Sequence, residues 1–143
     1  MSNHQRATTL VRALRAGLDR DRRALQELLT DDVRARSPAL STASRDELID
    51  ELDRRDEAFS DIELEVTPLD VGGDHACVEW TVEMTHSGTI ALAPDVNIES
   101  SGIRVTLHGV TIAEFLGEQI CSLRQYWDEH GVLEQLGVLT RNA

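Results

Sequence analysis

Lysine is absent from this chain: all 14 basic residues are arginine. Genomic base composition is sufficient to account for that, yet the absence removes a Schiff-base lysine, a phosphate-loop lysine and a lysine general base. Cysteine is scarce. Cys77 and Cys121 are the only two, they lie far apart without CxxC spacing, and both fall in predicted strands. They are expected to be small buried hydrophobes in a reducing compartment rather than a disulfide or redox pair. The histidines at 4, 75, 86, 108 and 130 never fall at metal-ligand spacing, and neither HExxH nor GxSxG occurs, so no metal site is expected. No apolar run approaches the ~20 residues that span a bilayer. The polar start, Met1 to Ala7, shows no secretory pattern, and a cytoplasmic protein is expected.

Positive charge is also short. The formal net charge of −12 disfavours nucleic acid and anionic membrane as partners. It is unevenly spread: residues 1–55 hold 11 of the arginines against 10 acidic residues, whereas residues 56–143 hold three against 16.

What is present suits one folded domain over residues 1–143, with 41% apolar and 28% charged residues. The first 57 residues read as helical. Leu10, Val11, Leu14 and Leu18 recur at helical spacing, and Asp21 is a candidate N-cap for a short helix from Arg22 to Leu29. Val33 to Ser37 reads as a short extended segment. Ser44-Arg45-Asp46-Glu47 fits a capping box before Leu48, Ile49 and Leu52.

Strand alternation begins at Asp61. Ile62, Leu64 and Val66 alternate with polar residues, and Gly72-Gly73-Asp74 reads as a turn. From Ala76, Val78, Trp80, Val82, Met84 and His86 share one face, with Glu79, Thr81 and Glu83 opposite. Residues 87–101 read as a loop, Ile103 to Phe115 as a long strand and Gln119 to Trp127 as the last strand. Gly131 to Leu139 is expected to form no more than a helical turn or a packed tail. This order predicts an α+β fold: a curved antiparallel sheet with three N-terminal helices closing a cavity over one face.

The chemistry is sought among polar residues on apolar strand faces, because burying an unpaired polar group is costly. His86 ends the Trp80–Met84 face, as a pocket base or as a terminal imidazole in water. After His108-Gly109 the apolar positions shift from odd to even, Val110 and Ile112, which suggests a β-bulge that turns Glu114 inward as a general acid or base; a solvated Glu114 at the strand end is the alternative. His108, at that shift, is a candidate substrate contact. On the last strand Cys121, Leu123, Gln125 and Trp127 share the apolar face, so Gln125 is its lone amide. Asp128 follows, as a catalytic carboxylate or as a cap. Trp80, Met84 and Trp127 are candidate ligand walls, or simply core; two indoles suit a planar polycycle.

Arg124-Gln125-Tyr126-Trp127-Asp128 followed by Leu133-Glu134-Gln135-Leu136-Gly137 resembles the C-terminal signature of SnoaL-like polyketide cyclases. Leu29-Thr30-Asp31-Asp32-Val33, Ser37-Pro38, Thr85-His86-Ser87-Gly88 and the strand from Gly109 to Gly117 extend the likeness over nearly the whole chain. The resemblance implies a cone-shaped barrel of the nuclear-transport-factor-two-like kind, with a deep apolar cavity, no metal, no evident bound cofactor and commonly a homodimer through the outer face of the sheet. It implies action on an aromatic polyketide in antibiotic-type secondary metabolism. The family's cyclases place an acid/base aspartate directly after the motif's arginine, where this chain has Gln125. An amide cannot abstract the proton that aldol closure requires. The expectation is therefore a hydroxylase-like member, a cyclase that uses Glu114 or Asp128 instead, or a non-catalytic module that binds a ligand or docks a partner.

Overall fold

The computed structural model describes residues 1–55, 58–93 and 95–138. Helix α1 (Asn3–Leu18) starts at a reciprocal capping box: Gln5 N–H donates to Ser2 Oγ, and Ser2 N–H donates to Gln5 Oε1. Its inner stripe is Thr9, Leu10, Ala13 and Ala16. Helix α2 (Arg22–Leu28) opens on Asp21, whose carboxylate accepts from Ala24 N–H. Strand β1 (Leu29–Arg36) follows without a break and pairs with the two-residue β2 (Ser41–Thr42). Helix α3 (Arg45–Arg55) opens with Ser44 Oγ accepting from Glu47 N–H, while the Glu47 carboxylate reaches one residue further back, to Ala43 N–H.

The remaining strands are β3 (Phe59–Leu69), β4 (His75–His86), β5 (Ile90–Ala93), β6 (Val96–Ile98), β7 (Arg104–Leu116) and β8 (Gln119–Trp127). Helix α4 (Glu129–Gln135) closes the described chain. The main sheet has six strands in the order β2-β1-β8-β7-β4-β3, and β5 and β6 form a hairpin of their own. The α+β class holds, with a curved, unclosed sheet.

Four expectations are corrected. The sheet is mixed, because β1 runs parallel to β8, with Leu29 level with Ile120 and Ala35 level with Leu123. Residues 87–101 are not all loop, since the β5–β6 hairpin lies within them. A fourth helix, α4, stands where only a turn or tail was expected; Asp128 caps it, its carboxylate accepting from Gly131 N–H at 2.9 Å. Finally, the register of β7 does not slip at Gly109: β4 and β7 pair without interruption from His75–Glu114 to Thr85–Arg104. The expected ends of the first helical region at Glu57 and of the tail at Leu139 lie outside the described residues.

A bulge does exist, one strand away. Glu114 pairs with Ser122 and Phe115 with Ile120, so Cys121 is the extra residue on β8. Ile120 points into the core, and Leu123, Gln125 and Trp127 continue the inner face after the phase change. The turn between β7 and β8 has two residues, with Gly117 at φ +62°, a left-handed conformation that glycine adopts without a Cβ clash.

Helix α1 lies against β4 and β3, and α2 and α3 lie against β1. Between helices and sheet, Leu10, Leu29, Val33, Val78, Val105 and Ile120 are fully buried. Each contributes ~1.5–3 kcal/mol relative to an exposed side chain. Helix α4 is tied to the free edge of β7 beyond the end of β8. The Gln135 amide accepts from Thr106 N–H and donates to Thr106 C=O, both at 2.8 Å, in the manner of one more strand residue.

Candidate functional site

Unbroken pairing fixes which side chains face inward. On β4 they are Ala76, Val78, Trp80, Val82, Met84 and His86; on β7, the odd positions 105 to 115; on β8, Leu123, Gln125 and Trp127. The inner face of β7 is unusual at its centre, where Gly109, Thr111 and Ala113 follow one another. These small residues leave room for indoles. Trp80 lies over Gly109, and Trp127, level with Gly109 on β8, meets Trp80 with ring centroids 6.2 Å apart and planes tilted by 59°.

A buried hydroxyl ties this cluster together. Thr111 is wholly excluded from solvent. Its Oγ1 accepts from the Trp80 indole N–H at 2.9 Å and faces the Gln125 amide nitrogen at 3.0 Å. Gln125 is half-buried, with its amide anchored at one end on Thr111. Thr111 carries no sequence signal as a site residue. The clue available was that Trp80 and Gln125, both expected on inner faces, each need a hydrogen-bonding partner.

The other proposed site residues do not join this cluster. Glu114 is on the outer face, half-exposed, with its carboxylate 3.4 Å from His75 Nε2 and 3.7 Å from an Arg124 nitrogen. Its inward placement depended on the Gly109 slip, which the register excludes. His108 also faces outward, level with Thr81, and its Nδ1 is 3.0 Å from Thr81 Oγ1. Asp128 is exposed and committed to capping α4. Met84 is inward and buried, four residues along β4 from Trp80.

His86 is fully buried rather than facing water. Its ring lies 5.8 Å from that of Phe59. Ser101 N–H donates to Nδ1 at 3.3 Å and Ser101 Oγ sits 2.8 Å from the same atom, which makes Nδ1 an acceptor and places the neutral ring's proton on Nε2. Nε2 is buried with no hydrogen-bond partner among the described residues. His86 is remote from Gln125: Val78, in the β-ladder row of Thr111 and Gln125, is eight residues away on β4, roughly 25 Å of extended strand. The inward candidates thus separate into a Trp80–Thr111–Gln125–Trp127 cluster and a distant His86–Ser101–Phe59 cluster. Neither the Thr111 hydroxyl nor the Gln125 amide takes up a proton near neutrality; the first cluster offers hydrogen bonds and aromatic surface.

Outward, a shallow open basin of about 390 Å³ lies between Glu65, Glu79, Thr81, His108, Val110 and Tyr126. Among the described residues no group of three or more His, Cys, Asp or Glu is arranged to hold a metal, and no helix is long and apolar enough to cross a membrane.

Comparison with known proteins bears on both the fold and the signature. No curated protein matches the chain by sequence. Among solved structures, TsrD from Streptomyces laurentii superposes with a TM-score of 0.81 at 22% identity, covering 97% of this chain and 99% of that one. The hydroxylase candidate AclR from Streptomyces galilaeus gives 0.80 at 21% identity over 99% and 91%. The polyketide cyclase candidate IdmH from Streptomyces antibioticus gives 0.78 at 19% over 94% and 100%. At such identities the likeness establishes the fold. The family model for SnoaL-like polyketide cyclase matches residues 8–136, nearly the whole chain, and takes in β8 and α4. The chain belongs to the SnoaL-like polyketide cyclase family.

Proposed function

We propose that this protein tailors an aromatic polyketide at the Trp80–Thr111–Gln125–Trp127 cluster, in a cyclase-like or hydroxylase-like step without a bound cofactor. The observation that carries the reading is the half-buried Gln125 amide, anchored by a buried hydroxyl, with the Trp80–Trp127 indole pair in the neighbouring ladder row. Planar aromatic surface recognises a polycycle, and a fixed amide orients one of its oxygens. The family membership and the hydroxylase and polyketide cyclase candidates among the structural relatives support a polyketide-tailoring role in general. Binding and orientation, rather than proton abstraction by Glu114 or Asp128, are the contribution assigned to this chain's residues.

A second reading has its own support. An amide where a cyclase would use a carboxylate suits a non-catalytic module that binds the polyketide. Incubation of the purified chain with aromatic polyketide intermediates, followed by chromatography and mass spectrometry, separates the two. An isomerised or dehydrated product indicates ring closure, and a product with one added oxygen indicates hydroxylation. Saturable quenching of tryptophan fluorescence without conversion indicates the binding module. Neither binding nor conversion across a panel of such compounds would overturn both.

The protein is further inferred to be a homodimer through the outer face of the sheet. Leu69 and Tyr126 are exposed there. The register places Arg34, Arg36 and Arg124 on one flank and Glu63, Glu65, Glu79 and Glu83 on the other. A twofold axis lying in that face, parallel to its strands, would set the arginines of one copy against the glutamates of its partner.

A further inference from the structure

We propose that Thr111 is a positioning residue that turns the Gln125 amide so that its NH₂ group, not its carbonyl, meets the ligand. The site then selects a ligand that presents an oxygen acceptor there, a ketone carbonyl or an enolate. The inference deepens the reading of this cluster as a polyketide site and rests on that reading for its ligand, though not for the orientation of the amide.

The argument starts from an indole. Trp80 Nε1–H can only donate, so the 2.9 Å bond between it and Thr111 Oγ1 has a fixed direction and Thr111 accepts. Thr111 also carries a proton of its own, in a site with no solvent exposure. Its side chain has one other hydrogen-bond partner among the described residues, the Gln125 amide at 3.0 Å. With Nε2 turned toward Thr111, both contacts bring donors and the hydroxyl proton has no acceptor, which is costly in a buried site.

Rotation of the last Gln125 torsion by half a turn exchanges two ends of nearly equal size. Oε1 then faces Thr111, and a single chain runs from Trp80 N–H to the Thr111 hydroxyl and from the Thr111 O–H to the Gln125 carbonyl. Every donor in it has an acceptor. Its sense cannot reverse, because it begins at a group that cannot accept, and each bond polarises the next. The NH₂ protons are left for a ligand. During ring closure or hydroxylation of a polyketone, negative charge develops on a carbonyl oxygen, and a preorganised N–H donor stabilises that charge.

Neutron diffraction from deuterium-exchanged crystals of the whole chain locates the two amide deuterons. The expected result has ND₂ on the side away from Thr111, with the Thr111 deuteron on the line to Oε1; ND₂ beside Thr111 overturns the proposal. A second measurement is an NMR titration of the carboxyl introduced by Gln125→Glu, made with Thr111 intact, with Thr111→Ser and with Thr111→Val. A hydroxyl that donates to position 125 favours the ionised carboxyl, so its acid dissociation constant is expected to be at least about threefold larger with Thr or Ser than with Val. An equal or smaller constant overturns the proposal. Neither measurement uses turnover. A polyketide assay that fails while the amide faces as stated removes the function and leaves the orientation, and the opposite pair of results removes the orientation alone.

Discussion

Gly109 lies directly beneath the indole of Trp80: a Cβ at position 109 would sit 2.3 Å from Cζ2 and 2.5 Å from Cη2. The ring's N–H is held by the bond to Thr111, on the same face of β7, and the ring cannot swing away without losing it. Gly109→Ala is therefore expected to destabilise the fold by about 1–3 kcal/mol, the usual range for overpacking. Denaturant unfolding measures the loss, and a shift in tryptophan emission would accompany it. Unchanged stability together with unchanged emission would contradict the packing described.

Asp128 is expected to act on stability alone. Asp128→Ala removes the cap on α4 and should cost about 1 kcal/mol, while polyketide binding or conversion stays within about twofold of the parent. Asp128→Asn, which keeps a capping oxygen, should recover most of the stability. A large loss of conversion in a stable Asp128→Asn would return the carboxylate to the chemistry.

Glu114→Gln is expected to leave conversion within about tenfold, because general acid–base catalysis is typically worth 10²–10⁴-fold and this side chain is on the face opposite Gln125. Its contacts with His75 and Arg124 are half-exposed, so the stability change should be under about 1 kcal/mol. Steady-state kinetics and a melting curve check both.

The thiols should be sluggish nucleophiles. Burial, and then the nearby Glu79 carboxylate, push the Cys77 pKa above its ordinary value of 9.0; burial, and then Glu114, do the same to Cys121. Alkylation at pH 8 should be slower in the folded protein than in urea. The linked stability has a definite sign. A raised folded-state pKa contributes stability that is fully present below the unfolded thiol's value and is lost as pH rises through the folded one. Cys77→Ala should accordingly flatten the fall in stability above pH 9, as read from urea midpoints across that range.

The outer face is expected to hold a dimer together. Tyr126→Glu, which adds charge to an exposed aromatic on that face, should shift the protein to monomer in light scattering at micromolar concentration, with the circular dichroism spectrum unchanged. A parent protein that is already monomeric there would rule the dimer out.

The inner face of β4 was legible because a strand buried on one side alternates, and Val78 to Met84 do so without exception. Gln125 and Trp127 were legible on the same grounds. The face of β7 was not. Its inward positions 109, 111 and 113 are Gly, Thr and Ala, because two indoles fill the space above them, while Val110 and Ile112 on the outer face are larger and more apolar. Hydropathy then points the wrong way, and the apparent slip at Gly109 was the mark of a ring packed on a glycine. The bulge at Cys121 left no such mark, since Ile120, Cys121 and Leu123 are apolar in either phase. His86 ends its strand, so alternation leaves both a pocket base and a solvated imidazole open; its burial comes from Phe59 and from Ser101, fifteen residues later, a contact that alternation cannot register.

The parallel pairing of β1 with β8 has a consequence for synthesis. Leu29 and Ile120, both wholly buried, are level with each other although 91 residues separate them. At about 5–20 residues per second, ribosomal elongation needs roughly 5–20 s to span that interval. During it, the two leading helices and β1 have only the short β2 as a sheet neighbour. Until then β1 has α2 and α3 against it but lacks β8 beside it, and chaperone dependence should concentrate in that window. In order of synthesis β3, β4 and β7 become available to one another before β8, the strand that joins β1 to them.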